Sequence, residues 1–299
     1  MSDQQSYLRP DVVSRLSSME LRARLVVEGF MTGLHKSPYH GFSVEFAEHR
    51  PYMPGDEIRR IDWKVLGRTD RYYIKQFEEE TNLKAYILVD ASRSMAFKAE
   101  GPVTKLQYAS YLAAALAYLM VRQQDAVGLV TYDETIRTFM PPHSTKIYLQ
   151  NILAELDHLE PGNATGTGRA LNAVAERIRR RGLVLIFSDL FDKPEEVMSA
   201  LKHFRHSQHD VIVFHVLDPR ERNFSFGRDA IFRDMESGEE MMTQPYQIQR
   251  AYQEAMQDFI ATYKRECREQ RIDYVLLDTG TPFDVALVEF LNKRKKVGG

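Results

Sequence analysis

The chain has one cysteine and one tryptophan in 299 residues, no long apolar run and no excess of either charge. The single thiol, Cys267, cannot close an internal disulfide or build a cysteine-rich zinc site, and its expected place is the packed side of a helix. The longest apolar run, Tyr111 to Val121, is about half of the ~20 residues that a membrane-spanning helix requires. The opening residues Met1-Ser2-Asp3-Gln4-Gln5-Ser6 lack the charged-then-apolar pattern of a secretory signal. These absences predict a protein that does not insert into a membrane and works in a reducing cytoplasm. The formal net charge is −2 and the pI about 6.5, so the basic excess that marks nucleic-acid binders is missing and none is expected as a partner. Internal repeats and low-complexity stretches are missing too, so the chain reads as a sequence of ordinary elements.

What is present is the composition of a globular protein, 43% hydrophobic and 27% charged, and a length that accommodates one large α/β domain with a smaller accessory piece. Residues 1–82 read as that accessory segment. Helical character runs over 11–34, Phe42, Val44 and Phe46 alternate with polar residues as in a strand, Pro51, Pro54 and Gly55 mark a turn, and Tyr72–Phe77 is a second short strand. From 83 to 299 the rhythm is regular. Buried-strand runs begin at Lys84, Leu183, Val211 and Tyr274, and helices are expected at about 105–121, 147–159, 168–180, 194–205, 246–270 and 283–294. Ala126–Tyr132 and Thr135–Met140 suggest a hairpin at the sheet edge, and polar turns at about 219–245 suggest an insertion with a small hairpin of its own. Strands alternating with helices predict an α/β fold, a doubly wound and mostly parallel sheet covered on both faces.

Ligands of such sheets bind beyond the carboxyl ends of the strands. There the chain has Asp90-Ala91-Ser92-Arg93-Ser94, the loop Gly162-Asn163-Ala164-Thr165-Gly166-Thr167-Gly168, and Ser188-Asp189. Two carboxylates and several hydroxyls, with no imidazole or thiolate, are hard oxygen donors of the type that Mg²⁺ takes, and Mn²⁺ accepts the same set. A coordination position left open on the ion would accept a carboxylate from another molecule. In the competing reading, Asp90 and Asp189 merely cap helices while the serines bond the backbone.

The set Asp90, Ser92, Ser94, Thr165 and Asp189 resembles the metal-ion-dependent adhesion site of von Willebrand factor A domains, with Thr165 rather than Thr167 aligning to that motif's threonine. The run Arg50-Pro51-Tyr52-Met53-Pro54-Gly55-Asp56-Glu57-Ile58-Arg59-Arg60-Ile61-Asp62-Trp63 resembles more specifically the bacterial DUF58 family, over about residues 40–290. The resemblance implies a von Willebrand factor A-like domain at 83–299. It also implies a non-enzymatic, metal-dependent adaptor or scaffold acting with a MoxR-type AAA+ ATPase or that ATPase's client. Many relatives begin with membrane-spanning helices, and the sequence has none.

The rival from another class is a Mg²⁺-dependent hydrolase using the same strand ends. A haloacid dehalogenase-type nucleophile needs a second Asp where Ser92 stands, and neither a Gly-x-Ser-x-Gly elbow nor a Walker A loop occurs. His203 and His206 suggest a zinc pair only weakly, since no further ligand clusters with them. Arg59, Arg60 and Trp63 form a candidate partner-binding edge, because Trp and Arg anchor interfaces; packing of Trp63 on the main domain is the alternative.

Overall fold

The computed structural model describes residues 8–36, 49–51, 66–67, 72–75, 84–162, 166–226, 230–233, 240–243 and 245–297. By contacts the chain divides into Met1–Gly33 with Leu83–Gly299, and Leu34–Asn82. The first helical stretch, placed by sequence with the accessory segment, thus groups with the main unit. It is a short turn, α1 (Pro10–Val13), followed by α2 (Met19–Lys36). The physical ties are specific: Arg22 of α2 pairs with Asp157 at 2.8 Å and stacks over the Tyr111 ring, and Ala23, Val26, Val27 and Phe30 are buried. Within Leu34–Asn82 the described structure is an antiparallel pair, β1 (His49–Pro51) and β2 (Tyr73–Lys75). The strand expected at Phe42–Phe46 lies outside the described residues.

The main unit is built on β3 (Lys84–Asp90), β4 (Ala126–Tyr132), β5 (Ile136–His143), β6 (Leu183–Ser188), β7 (Asp210–Leu217) and β10 (Asp273–Asp278), in the spatial order β10-β7-β6-β3-β4-β5. All neighbours are parallel except β4 and β5. The doubly wound, mostly parallel sheet expected from the alternation of strands and helices is the sheet observed. The expected edge hairpin is β4–β5, and Pro141 and Pro142 on β5 suit a strand that stands at the end of the sheet among the described residues. The insertion contributes a short helix, α7 (Pro219–Asn223), and a hairpin, β8 (Ala230–Arg233) with β9 (Glu240–Thr243).

Alternate residues of the strands feed two cores. Tyr86, Leu88, Val184, Ile186, Val211 and Val213 pack on one side. They meet α5 (Thr167–Arg177), α6 (Pro194–His206) and α8 (Pro245–Glu269), where the buried Cys267 is the packed thiol expected. On the other side α3 (Lys105–Arg122) crosses β3, β4, β6 and β7. By sequence periodicity Leu106, Ala109, Ala113, Leu116, Ala117 and Met120 give α3 one apolar face. The structure buries it almost all round, including Tyr108, Leu112, Ala115 and Leu119, because α4 (Lys146–Asp157) and α9 (Phe283–Val297) cover its outer side. A helix that is apolar on every face belongs inside.

At Gly128 the backbones of β4 and β5 leave no room for a side chain. A Cβ there would lie 2.5 Å from the Met140 carbonyl oxygen and 3.0 Å from Pro142 N, beside a register shift between Val127 and Leu129. Both neighbours are backbone, so neither yields by a rotamer change. Gly128→Ala is expected to destabilise the protein by about 1–3 kcal/mol, read as a lower urea midpoint at unchanged slope. A midpoint equal to wild type would show that the edge strand moves freely.

Candidate metal centre

The order of the sheet decides where a site forms. From β3 the chain winds outward to β4 and β5, and from β6 it winds the other way to β7 and β10. The crevice between the carboxyl ends of β3 and β6 is therefore the switch point of the doubly wound sheet, where such folds bind ligands. Asp90 ends β3, and Ser188-Asp189 ends β6.

Backbone bonds fix the first loop. Ala91 N donates to Tyr132 O at 2.7 Å, and Gly162 N donates to Ala91 O at 2.6 Å, tying the glycine-rich loop to it. Ser92 N donates to Asp90 Oδ1 at 2.9 Å, and a 3₁₀ turn over Arg93–Ala96 follows, anchored by buried Met95. This turn brings the Ser92 and Ser94 hydroxyls within 3.1 Å of each other. The second loop is fixed differently. Leu190 adopts φ 56° with its side chain fully buried, a left-handed conformation that is costly for a branched residue. The turn lets Asp189 Oδ1 accept from Phe191 N at 3.2 Å and Ser188 Oγ accept from Leu190 N at 2.9 Å.

Asp90, Ser92, Thr167, Ser188 and Asp189 are all buried. Asp90 Oδ2 accepts from Ser188 Oγ at 2.6 Å and from Thr167 Oγ1 at 3.1 Å. Thr165 lies outside the described residues, so the threonine seen at Asp90 is Thr167, the first residue of α5. Arg59, Arg60 and Trp63 also lie outside them. Neither aspartate caps a helix: the helix caps nearby are Thr104, Gly166 and Lys193, whereas Asp90 accepts from Ser92 N, Ser188 Oγ and Thr167 Oγ1, and Asp189 accepts from Phe191 N and the Lys105 ammonium.

Lys105 and Glu221 were missed from sequence. Lys105 is fully buried, with Nζ 2.7 Å from Asp189 Oδ2 and 2.6 Å from Glu221 Oε1, and with the Phe97 and Phe191 rings beside it. Glu221 Oε2 accepts from Asp218 N at 2.8 Å, and the Asp218 carboxylate accepts from the N–H groups of Ala99, Glu100, Gly101 and Arg220. A signal existed. Thr104-Lys105-Leu106-Gln107 is a capping box, which puts a cation in the first turn of a helix, at the positive end of its dipole. A lysine there calls for carboxylate partners.

The charges are uneven. Burial disfavours the Lys105 ammonium, but Asp189 and Glu221 outweigh it and hold the lysine above its ordinary range. Burial likewise works against Asp189, and Lys105 outweighs that to hold the carboxyl low. Asp90 has no such partner: burial, and then the charge of Asp189, push it up to about 6 against the hydrogen bonds of Ser188 and Ser92. Three carboxylates and one ammonium leave two negative charges uncompensated, the charge of one divalent cation. The donors fit such an ion, since all are oxygens with short hydroxyls around the carboxylate that lacks a counter-charge. Among the described residues no group of three His, Cys, Asp or Glu side chains forms a metal cluster, so His203 and His206 remain a pair.

A carboxyl raised from its ordinary value near 4 to about 6 favours the folded state most fully below the lower value, and that contribution is lost as pH rises through about 6. His215 is held down to about 4 by burial and loses stability in the opposite direction as pH falls from about 6.5. Comparing metal with chelator at each pH cancels the histidine. Mg²⁺ is expected to stabilise the protein more at pH 7.5 than at pH 5, by up to about 1.4 kcal/mol because pH 5 lies about one unit below the Asp90 value, read by thermal melts. Equal melting with Mg²⁺ and EDTA at pH 7.5 would remove the ion from Asp90.

Among the described residues no helix is long and apolar enough to cross a membrane. Among known proteins, the chain is 28% identical over 232 residues to an uncharacterized protein of Mycobacterium tuberculosis, covering 77% of this chain and 72% of the relative. Solved structures similar to it include a conserved hypothetical protein, BatB, of Bacteroides thetaiotaomicron (17% identity, 72% of this chain and 99% of that one, TM-score 0.49). The von Willebrand factor A domain of SpRpn10 is also similar (12% identity, 69% and 93%, TM-score 0.41). A family described as "Protein of unknown function DUF58" matches residues 48–262, more than half of the sequence, and the chain belongs to the DUF58 family.

Proposed function

We propose that the protein is a non-enzymatic adaptor that binds a partner protein through a divalent cation at the β3–β6 switch point. Asp90, Ser92 and Ser94 hold the ion, with Asp189 and a threonine of the glycine-rich loop completing the set. The sequence motif favours Thr165, and the hydroxyl within reach of Asp90 is that of Thr167. One observation carries the reading: Asp90 is a fully buried carboxylate, surrounded by hydroxyls, for which the described residues supply no cation. When bound, Mg²⁺ or Mn²⁺ supplies an electrophilic position for an oxygen ligand. Among the described residues no histidine or thiol bonds the hydroxyls around Asp90, which favours holding a partner's Asp or Glu over turning over a substrate. Arg93, exposed in the same loop, carries a charge suited to guide an acidic side chain. The natural candidate for the partner is a MoxR-type AAA+ ATPase or its client, an assignment that rests on the family resemblance alone.

Asp90→Ala tests the reading directly. Immobilised wild-type protein with Mg²⁺ is expected to retain a partner that is lost in EDTA and lost by Asp90→Ala, while circular dichroism shows the variant folded. The interaction is expected to weaken at least about a hundredfold, as when a metal ligand is removed. Retention that survives both chelation and the substitution would place the interface elsewhere. Mg²⁺-dependent turnover of phosphate or ester substrates, abolished by Asp90→Ala, would replace the adaptor by a hydrolase.

A further inference from the structure

We propose that Lys105 is a resident counter-cation that competes with the divalent ion for Asp189, so that metal and partner carboxylate bind strongly only together. The inference rests on the metal-bridge reading and deepens it. An ordinary acidic site has a full set of unpaired ligands waiting for the ion. Here one of the two strand-end carboxylates is already engaged, through a 2.7 Å contact to an ammonium that water does not reach. A unit positive charge at that distance from a ligand oxygen opposes a second cation at the same carboxylate, more strongly in a buried site than in water. A partner's carboxylate on the ion adds the negative charge that offsets this opposition. By linkage, metal then tightens partner and partner tightens metal by the same factor.

Lys105 is held in place from the far side. Glu221 takes its second contact at 2.6 Å and belongs to α7, which opens the insertion after β7. Glu221 Oε2 also accepts from Asp218 N, and Asp218 gathers the N–H groups of Ala99, Glu100 and Gly101 from the loop that leads into α3. The ammonium is therefore fixed by two elements that meet at the site. It cannot swing out to solvent without breaking its contacts to fully buried Asp189 and to the largely buried Glu221.

The double variant Lys105→Met, Glu221→Gln removes one positive and one negative charge, so the net charge of the site is unchanged while Asp189 is released. Mn²⁺ alone is the probe, followed by electron paramagnetic resonance and calorimetry on the full chain. The double variant is expected to bind Mn²⁺ about tenfold or more tightly than wild type, the effect of removing one nearby charge in a partly screened site. Adding Asp90→Ala is expected to abolish that gain. Equal or weaker binding by the folded double variant overturns the competition, and Asp90-dependent binding by wild type then leaves the metal site standing. Binding by neither protein overturns it as well, and Asp90-independent partner retention in the preceding experiment would remove the metal site too. If the double variant does not fold, wild type decides: the ¹⁵N resonance of the Lys105 ammonium is expected to shift with saturating Mg²⁺ in wild type and not in Asp90→Ala. A resonance that does not move under saturating Mg²⁺ overturns the proposal.

Discussion

A buried lysine is costly unless its charge is matched, and at the switch point of this sheet Lys105 is matched twice, by Asp189 at the end of β6 and by Glu221 in α7. The pairing joins three parts of the chain that are far apart in sequence: the start of α3, the end of β6 and the segment after β7. It also divides the two strand-end aspartates into unlike groups. Asp189 is held ionised by an ammonium, whereas among the described residues Asp90 meets hydroxyls and a backbone N–H. Two carboxylates at adjacent strand ends would otherwise repel one another symmetrically. With Lys105 in place, the missing positive charge is localised at Asp90.

The sheet makes that localisation possible. Parallel neighbours in register bring the ends of β3 and β6 side by side, with Val89 paired to Phe187. The residues immediately after them then face one crevice. At the opposite edge, the chain spends its unusual backbone on ordinary helix endings. Gln124, Gln208 and Arg271 are all left-handed, and in each case the next N–H bonds the carbonyl five residues back, at Met120, Phe204 and Cys267. Those are helix caps that satisfy otherwise unpaired carbonyls. Leu190 is left-handed for a different reason, since it follows a strand and turns the chain so that Asp189 and Ser188 accept backbone hydrogen bonds.

Much of this was legible in the residues. The runs ending abruptly at Asp90 and Asp189 are buried parallel strands, whose lack of alternation is itself the signal, and the edge hairpin and the insertion stand where turn chemistry put them. The carboxylates and serines were visible because polar residues at the end of an apolar strand stand out against it. The glycine-rich loop was visible as a unit, but which of its threonines turns inward depends on where α5 begins, and helix starts are the least determined feature of a sequence pattern. The second buried face of α3 was hidden because alanine and tyrosine populate both surfaces and interiors. Lys105 and Glu221 were hidden for a deeper reason. They lie 116 positions apart, and no local pattern announces a contact made only when the sheet has closed.

The capping box at Thr104 shows how such a contact can nevertheless be inferred. It fixes Lys105 in the first turn of α3, where the helix dipole already presents positive charge. A cation beside that positive dipole end is unfavourable for the helix alone even though Lys105 N and Gln107 N are paired with Phe97 O and Thr104 Oγ1, and the apolar residues that follow carry the same turn into the interior. A sequence that keeps lysine there therefore requires carboxylates from elsewhere. The carboxylates at the ends of β3 and β6, the two strands that flank the switch point, are Asp90 and Asp189. The local conflict between helix dipole and side-chain charge thus points to the tertiary site, and it is resolved only by the fold that brings Asp189 and Glu221 to it.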